Sequence, residues 1–264
     1  MPYMEIPDEI PIHYLDEGPR VDSCIFLIHG EPFSCQSWQK NIPDLAQGFR
    51  VIAMDVRGRG LSGKTSVGHV ISQFSYDVQY MIETLGLERV VVVGWSLGSC
   101  IVWSHMNQFD DQRIVGHVNV DQPPCWSLSE EDFRRRIDAI QTNRLSFHHQ
   151  LVRSYLGPEA RESEAVVNGM VYECMQTPTT AYVSAATDSF YSDYRAFLSN
   201  VRVPTLIFWA RYGNIQPDMA KFMGEAIPDA RLVFFDHSGH FLPWTESAKF
   251  NRELSEFARD MLKA

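Results

Sequence analysis

The sequence predicts an α/β fold, a mostly parallel sheet covered by helices, and three observations carry that prediction. Short apolar runs alternate with amphipathic segments along most of the chain. One of these runs, Val90-Val91-Val92-Val93, leads directly into Gly94-Trp95-Ser96-Leu97-Gly98, the signature of a sharp strand-to-helix turn. From residue 122 to residue 200 the alternation stops, and only helical patterning remains.

Taken in order, residues 10–15 alternate and predict an early antiparallel strand. Residues 24–28, 50–54, 89–93, 115–120, 205–209 and 231–235 are near-continuous apolar runs, as buried parallel strands require. Between them, residues 72–85 have helical spacing in Phe74, Val78, Met81, Ile82 and Leu85, with Ser72 as N-cap and Gly86 as the stop. Residues 99–109 form the helix leaving the serine turn. After Asp121 the helical stretches are 133–140, 147–155, 164–175 and 180–191, rich in aromatics and methionine. That excursion is far longer than an ordinary connection. It reads as a helical cap, residues 122–200, inserted into a core of residues 1–121 and 201–264. Its expected place is over the C-terminal edge of the sheet, where open α/β sheets bind ligands.

The chain of 264 residues is long enough for one large domain, and its 45% hydrophobic and 21% charged residues are ordinary for a globular protein. A net charge of −10 argues against a nucleic-acid surface. The only basic run, Arg134-Arg135-Arg136, follows Glu130-Glu131-Asp132 and reads as a solvated helix face. Five cysteines form no C-x-x-C pair, and Cys24 and Cys100 lie in apolar stretches, which predicts reduced packing thiols and a cytoplasmic setting. No signal-peptide pattern and no membrane-length apolar stretch is present. The expected partner is a small-molecule substrate, with no nucleic acid and no membrane. Neither a metal cluster nor a Gly-rich phosphate loop is visible, so no cofactor and no metal is expected.

The chemistry centres on Ser96. A serine hydroxyl is a weak nucleophile at neutral pH, so it needs a base and a group to orient that base. His240, in Asp236-His237-Ser238-Gly239-His240-Phe241, follows the last strand and falls at the same sheet edge. His237 is the alternative, with solvent exposure or loop packing as its other reading; His148 and His149 would be exposed or line the pocket. An oxyanion needs two N–H donors. The Leu97 amide is one candidate, and the Glu31 amide, in His29-Gly30-Glu31-Pro32-Phe33, is the other. The Glu31 side chain either turns away to a polar neighbour or touches the substrate. Pocket walls are expected from Trp95, Phe33, Trp126 and Phe147, with Trp38, Tyr155, Tyr172 and Tyr191 as further candidates; such a pocket suits a medium-sized apolar or aromatic molecule.

These motifs, His29-Gly30, Asp55-Val56-Arg57-Gly58-Arg59-Gly60-Leu61-Ser62, Gly94 to Gly98 and Gly239-His240, resemble in order and spacing an α/β-hydrolase of the epoxide-hydrolase, haloperoxidase and carboxylesterase sort. The resemblance implies a mostly parallel eight-stranded sheet with an inserted cap, and makes residues 55–62 a structural turn beneath the site. Most relatives place an Asp where Gly213 stands, in Ala210-Arg211-Tyr212-Gly213-Asn214-Ile215-Gln216-Pro217. Some lactonases and cofactor-free dioxygenases instead supply the acid one strand earlier, and here that position is Asp121. Asp218 is the alternative, although N-capping of a helix suffices to explain it. Two activities follow from the resemblance. One is a serine hydrolase cleaving an ester or lactone through Ser96, His240 and Asp121. The other is a cofactor-independent dioxygenase cleaving a 3-hydroxy-4-quinolone ring, with His240 and Asp121 as base.

Overall fold

The computed structural model describes residues 2–7 and 9–263. Its strands are β1 (Tyr3–Ile6), β2 (Ile10–Glu17), β3 (Ser23–Ile28), β4 (Arg50–Met54), β5 (Arg89–Trp95), β6 (Ile114–Val120), β7 (Thr205–Tyr212) and β8 (Ala230–Gly239). They form one sheet in the order β1-β2-β4-β3-β5-β6-β7-β8. The β1–β2 and β2–β4 pairs are antiparallel, and every other pair is parallel. Each predicted run is a strand. The unpredicted β1 is a four-residue edge strand, too short for its alternation to stand out.

The helices are α1 (Ile42–Leu45), α2 (Ile71–Thr84), α3 (Leu97–Gln108), α4 (Glu130–Thr142), α5 (Arg144–Leu156), α6 (Glu164–Met175), α7 (Thr179–Tyr191), α8 (Pro217–Ala226), α9 (Leu242–Thr245) and α10 (Ser247–Met261). Two capping expectations are corrected. Ser72 lies inside α2, whose N-cap is Val70; the free Ile71 N–H donates instead to Asp188 Oδ2 of α7 at 2.7 Å. Asp218 lies in the first turn of α8, where a carboxylate favours the helix dipole, and the N-cap is Gln216.

Period-two alternation sorts the residues of β5 to the two faces of the sheet. Val91, Val93 and Trp95 join the apolar cluster containing Trp38, Phe250 and Leu254. Val90 and Val92 join the opposite cluster with Ile82, Ile101 and Trp103. Helices α4 to α7 stand between β6 and β7, and their Phe147, Leu151, Tyr155 and Met170 belong to the same cluster as Trp95 and Phe241. Polar ties reinforce this packing. Glu173 Oε1 of α6 accepts from the Ser34 N–H at 2.8 Å and the Ser34 hydroxyl at 2.6 Å, and Thr177 donates to the Pro32 carbonyl at 3.0 Å.

Candidate active site

The chain runs from β3 to β4 on one side and returns to β5 on the other, so the crevice at the C-terminal ends of β3 and β5 is the switch point of the sheet. Ser96 follows β5 there, with φ 55° and ψ −121°. Among the described residues, only Ser96, Asp121 and Glu9 hold positive φ without being glycine, so two of the three belong to this site. Such backbone strain persists only where the surroundings enforce it. Close packing enforces the turn: a Cβ on Gly94 would strike the backbone of Ser99 and Gly98, and one on Gly98 would strike the Ile28 carbonyl. The Ser96 N–H is held by the Val120 carbonyl at 3.1 Å, and the Asp121 N–H by the Phe208 carbonyl at 2.8 Å.

Asp121 and His240 meet, as expected from the sequence. Asp121 Oδ2 lies 2.7 Å from His240 Nδ1, with both side chains buried. Asp121 also accepts from the backbone N–H groups of Asn214 (2.6 Å) and Ile215 (3.4 Å). A Cβ on Gly213 would coincide with the Asp121 carboxylate, so the two positions share one site. Burial pushes the Asp121 carboxyl up, and its bond to His240 opposes that shift. The Nε2 of His240 has the Asn214 side-chain amide nitrogen as its neighbour at 3.3 Å. The imidazole ring lies edge-to-face against Tyr155, with centroids 4.5 Å apart. His237, the alternative base, is exposed and paired with Glu159 at 2.8 Å, which raises its pKa.

Loop 29–33 brings the second candidate oxyanion donor to the crevice. His29 braces it: Val56 N–H donates to Nε2 at 3.0 Å, which leaves the ring proton on Nδ1 to donate to the Gly30 carbonyl at 2.9 Å. Burial lowers the His29 pKa to about 4, in keeping with this neutral tautomer. The N–H groups of Glu31 and Leu97 have no protein acceptor among the described residues. The Glu31 side chain turns to a polar neighbour and also reaches the pocket lining. Its Oε2 pairs with buried Arg59 at 2.7 Å, while its Oε1 has no partner and the residue lines the pocket.

That pocket opens to solvent, and Ser96 and Leu97 are among its lining residues. Trp126 and Tyr155 line it as predicted. Trp95 and Phe33 do not. Alternation turns Trp95 toward the interior, where it stacks on Phe241 at 4.3 Å and donates its indole N–H to the His240 carbonyl at 2.9 Å. Phe33 packs behind it, 5.0 Å from the Trp95 ring. Phe147 lies under the pocket wall, edge-on to Tyr182 at 5.6 Å, and Trp38 is a core residue. Tyr172 and Tyr191 point to solvent, and His148 is buried with neither ring nitrogen bonded, its pKa lowered to about 4 by burial.

Two arginines were missed by the sequence reading. Arg59, within the structural turn, holds Glu31. Arg136 was assigned to a solvated face, but only Arg134 and Arg135 are solvated; Arg136 falls between Phe133 and Ile140 on the inward stripe of α4 and lines the pocket. Helical spacing from Phe133 was the signal that would have found it. One buried trio, His13, Cys35 and Asp55, has ligand-type atoms within 4.8 Å of one another. Both Asp55 oxygens are already engaged, by the Cys35 and Leu61 N–H groups and by His13 Nδ1. Burial also holds the Cys35 thiol protonated.

A family model described as the α/β hydrolase fold matches residues 24–247, and the chain belongs to that family. It is 28% identical to the bifunctional esterase/perhydrolase DCH of Acinetobacter calcoaceticus, over 98% of this chain and 100% of that protein. A putative non-heme chloroperoxidase of Synechocystis sp. is 26% identical over 97% of this chain and 99% of its own length. Among solved structures, the bromoperoxidase from Bacillus anthracis superimposes with a TM-score of 0.89 at 26% identity, covering 95% of this chain and 96% of that one. Fold and relatives together define an enzyme of the hydrolase class.

Proposed function

We propose that this protein is a serine hydrolase that cleaves a carboxylic ester or lactone of a small apolar or aromatic molecule. The observation that carries the reading is the buried Asp121–His240 bond of 2.7 Å beside a serine held on a strained strand-to-helix turn. In this mechanism His240 Nε2 takes the Ser96 proton as Oγ attacks the carbonyl carbon, and Asp121 stabilises the imidazolium. The free N–H groups of Leu97 and Glu31 receive the oxyanion. Collapse expels the alcohol, which takes the proton from His240, and water then releases the acid by the same steps. Helices α4 to α7 act as the cap that closes the pocket.

A second reading is favoured by the relative named as both esterase and perhydrolase. Hydrogen peroxide would replace water at the acyl-enzyme, and the product would be a peracid. The decisive test pairs an activated-ester assay with a fluorophosphonate probe. Both turnover and labelling are expected in the wild type and should vanish together in Ser96→Ala. Oxygen uptake with a 3-hydroxy-4-quinolone that survives Ser96→Ala but not His240→Ala would overturn hydrolysis in favour of the dioxygenase.

A further inference from the structure

We propose that Arg136 and the hydroxyls of Tyr182 and Tyr155 form a carboxylate-binding subsite in the pocket lined by Ser96, so that the preferred ester or lactone carries an acidic group. This rests on the reading of Ser96 as the nucleophile. Arginines along α4 differ in their partners. Arg134 pairs with Glu130 at 2.7 Å and Arg135 with Asp132 at 2.8 Å, both on the outside. Arg136 faces the pocket and has no carboxylate partner among the described residues.

Its hydrogen-bond partner is a phenol: Arg136 Nε donates to Tyr182 Oη at 3.0 Å, and Tyr155 lines the same pocket. A phenol oxygen that accepts from an arginine keeps its own proton to donate. The hydroxyls of Tyr182 and Tyr155 donate to no acceptor among the described residues, so a forked cation and two O–H donors line the pocket without an anionic partner. A carboxylate completes that set, because its two oxygens match the guanidinium fork. Trp126, Leu128, Phe133 and Phe190 make the rest of the wall apolar, which strengthens a charge pair once a ligand displaces water.

Glu31 decides which anion fits. Its charge is matched by Arg59, so the pocket keeps a net single positive charge on Arg136. Its unpaired Oε1 would repel a second negative charge, which favours a monoanionic carboxylate over a phosphate dianion.

The test uses monomethyl and dimethyl esters of glutaric and adipic acids, with 4-acetoxybenzoate and phenyl acetate for a carboxylate on the alcohol side. Wild-type kcat/KM is expected to favour the anionic member of at least one pair, with that preference falling as salt is raised. In Arg136→Gln the anionic-to-neutral ratio should fall by roughly 10- to 100-fold, and Arg136→Lys should restore part of it. A merely structural role would lower both members and leave the ratio unchanged. Calorimetric binding of the same pairs to Ser96→Ala gives a readout that needs no turnover. If the anionic preference is seen there while Ser96→Ala still hydrolyses, the nucleophile assignment fails and the subsite stands. If turnover is serine-dependent but no pair shows a charge preference, or Arg136→Gln keeps it, the subsite is overturned.

Discussion

A Cβ on Gly213 would fall among the carboxylate atoms of Asp121, so this glycine is a condition of placing a carboxylate just after β6. The loop after β7 supplies backbone N–H groups from Asn214 and Ile215 in place of a side chain, and those donors aim Oδ2 at His240. Gly213→Ala is therefore expected to displace Asp121 and lower kcat by roughly 100-fold, while Asp121→Asn should cost about 10³- to 10⁴-fold. Steady-state kinetics on the two variants would check this; an unchanged kcat in Gly213→Ala would contradict the shared-site reading. Asp121 as the partner of His240 was legible in the sequence because it directly follows a strand-like run and Gly213 leaves its own position without a carboxylate. The role of Trp95 was not, because adjacency to Ser96 says nothing about which face of the sheet a ring occupies.

At the scale of elements, α6 is tied to the loop after β3 by one carboxyl group. Burial raises the Glu173 pKa from 4.5 to about 7, against the lowering effect of its bonds from Ser34. Across that interval the folded state keeps a proton that the unfolded chain releases, so stability falls as pH rises from 4.5 to about 7 and then levels off. Glu173→Gln should remove this component. The difference between wild-type and variant unfolding free energies, measured by denaturant titration at several pH values, should change by about 1–3 kcal/mol across the window, with the variant relatively more stable at the upper end. A pH-independent difference would show that Glu173 ionises normally. No local pattern announces this contact, since its partners lie far apart in the chain.

For the whole molecule, the apolar cluster that holds Trp95, Phe241 and Phe250 continues through Phe147, Leu151, Tyr155 and Met170 of the segment between β6 and β7. Shared side-chain packing couples the two parts, as does the capping of α2 by Asp188. Residues 122–200 are accordingly expected to unfold together with the sheet. Thermal unfolding followed by far-ultraviolet circular dichroism and by tryptophan fluorescence should give coincident midpoints. Two separated transitions would mean that the helical segment is an independent unit.

The sequence by itself determined the strand runs, the serine turn, the helical segment and the candidate pair of Asp121 and His240. Each of these is written in local periodicity or in a residue type bound to a strand end, and backbone sterics and burial act on those directly. Tertiary structure alone decided that Arg136 turns inward to meet Tyr182, that Arg59 holds Glu31, and that Trp95 supports the histidine loop instead of the pocket wall. Those outcomes depend on which faces of distant elements come together. The hydrogen bonds and charge pairs formed there join residues far apart in the chain, and no short-range pattern encodes them.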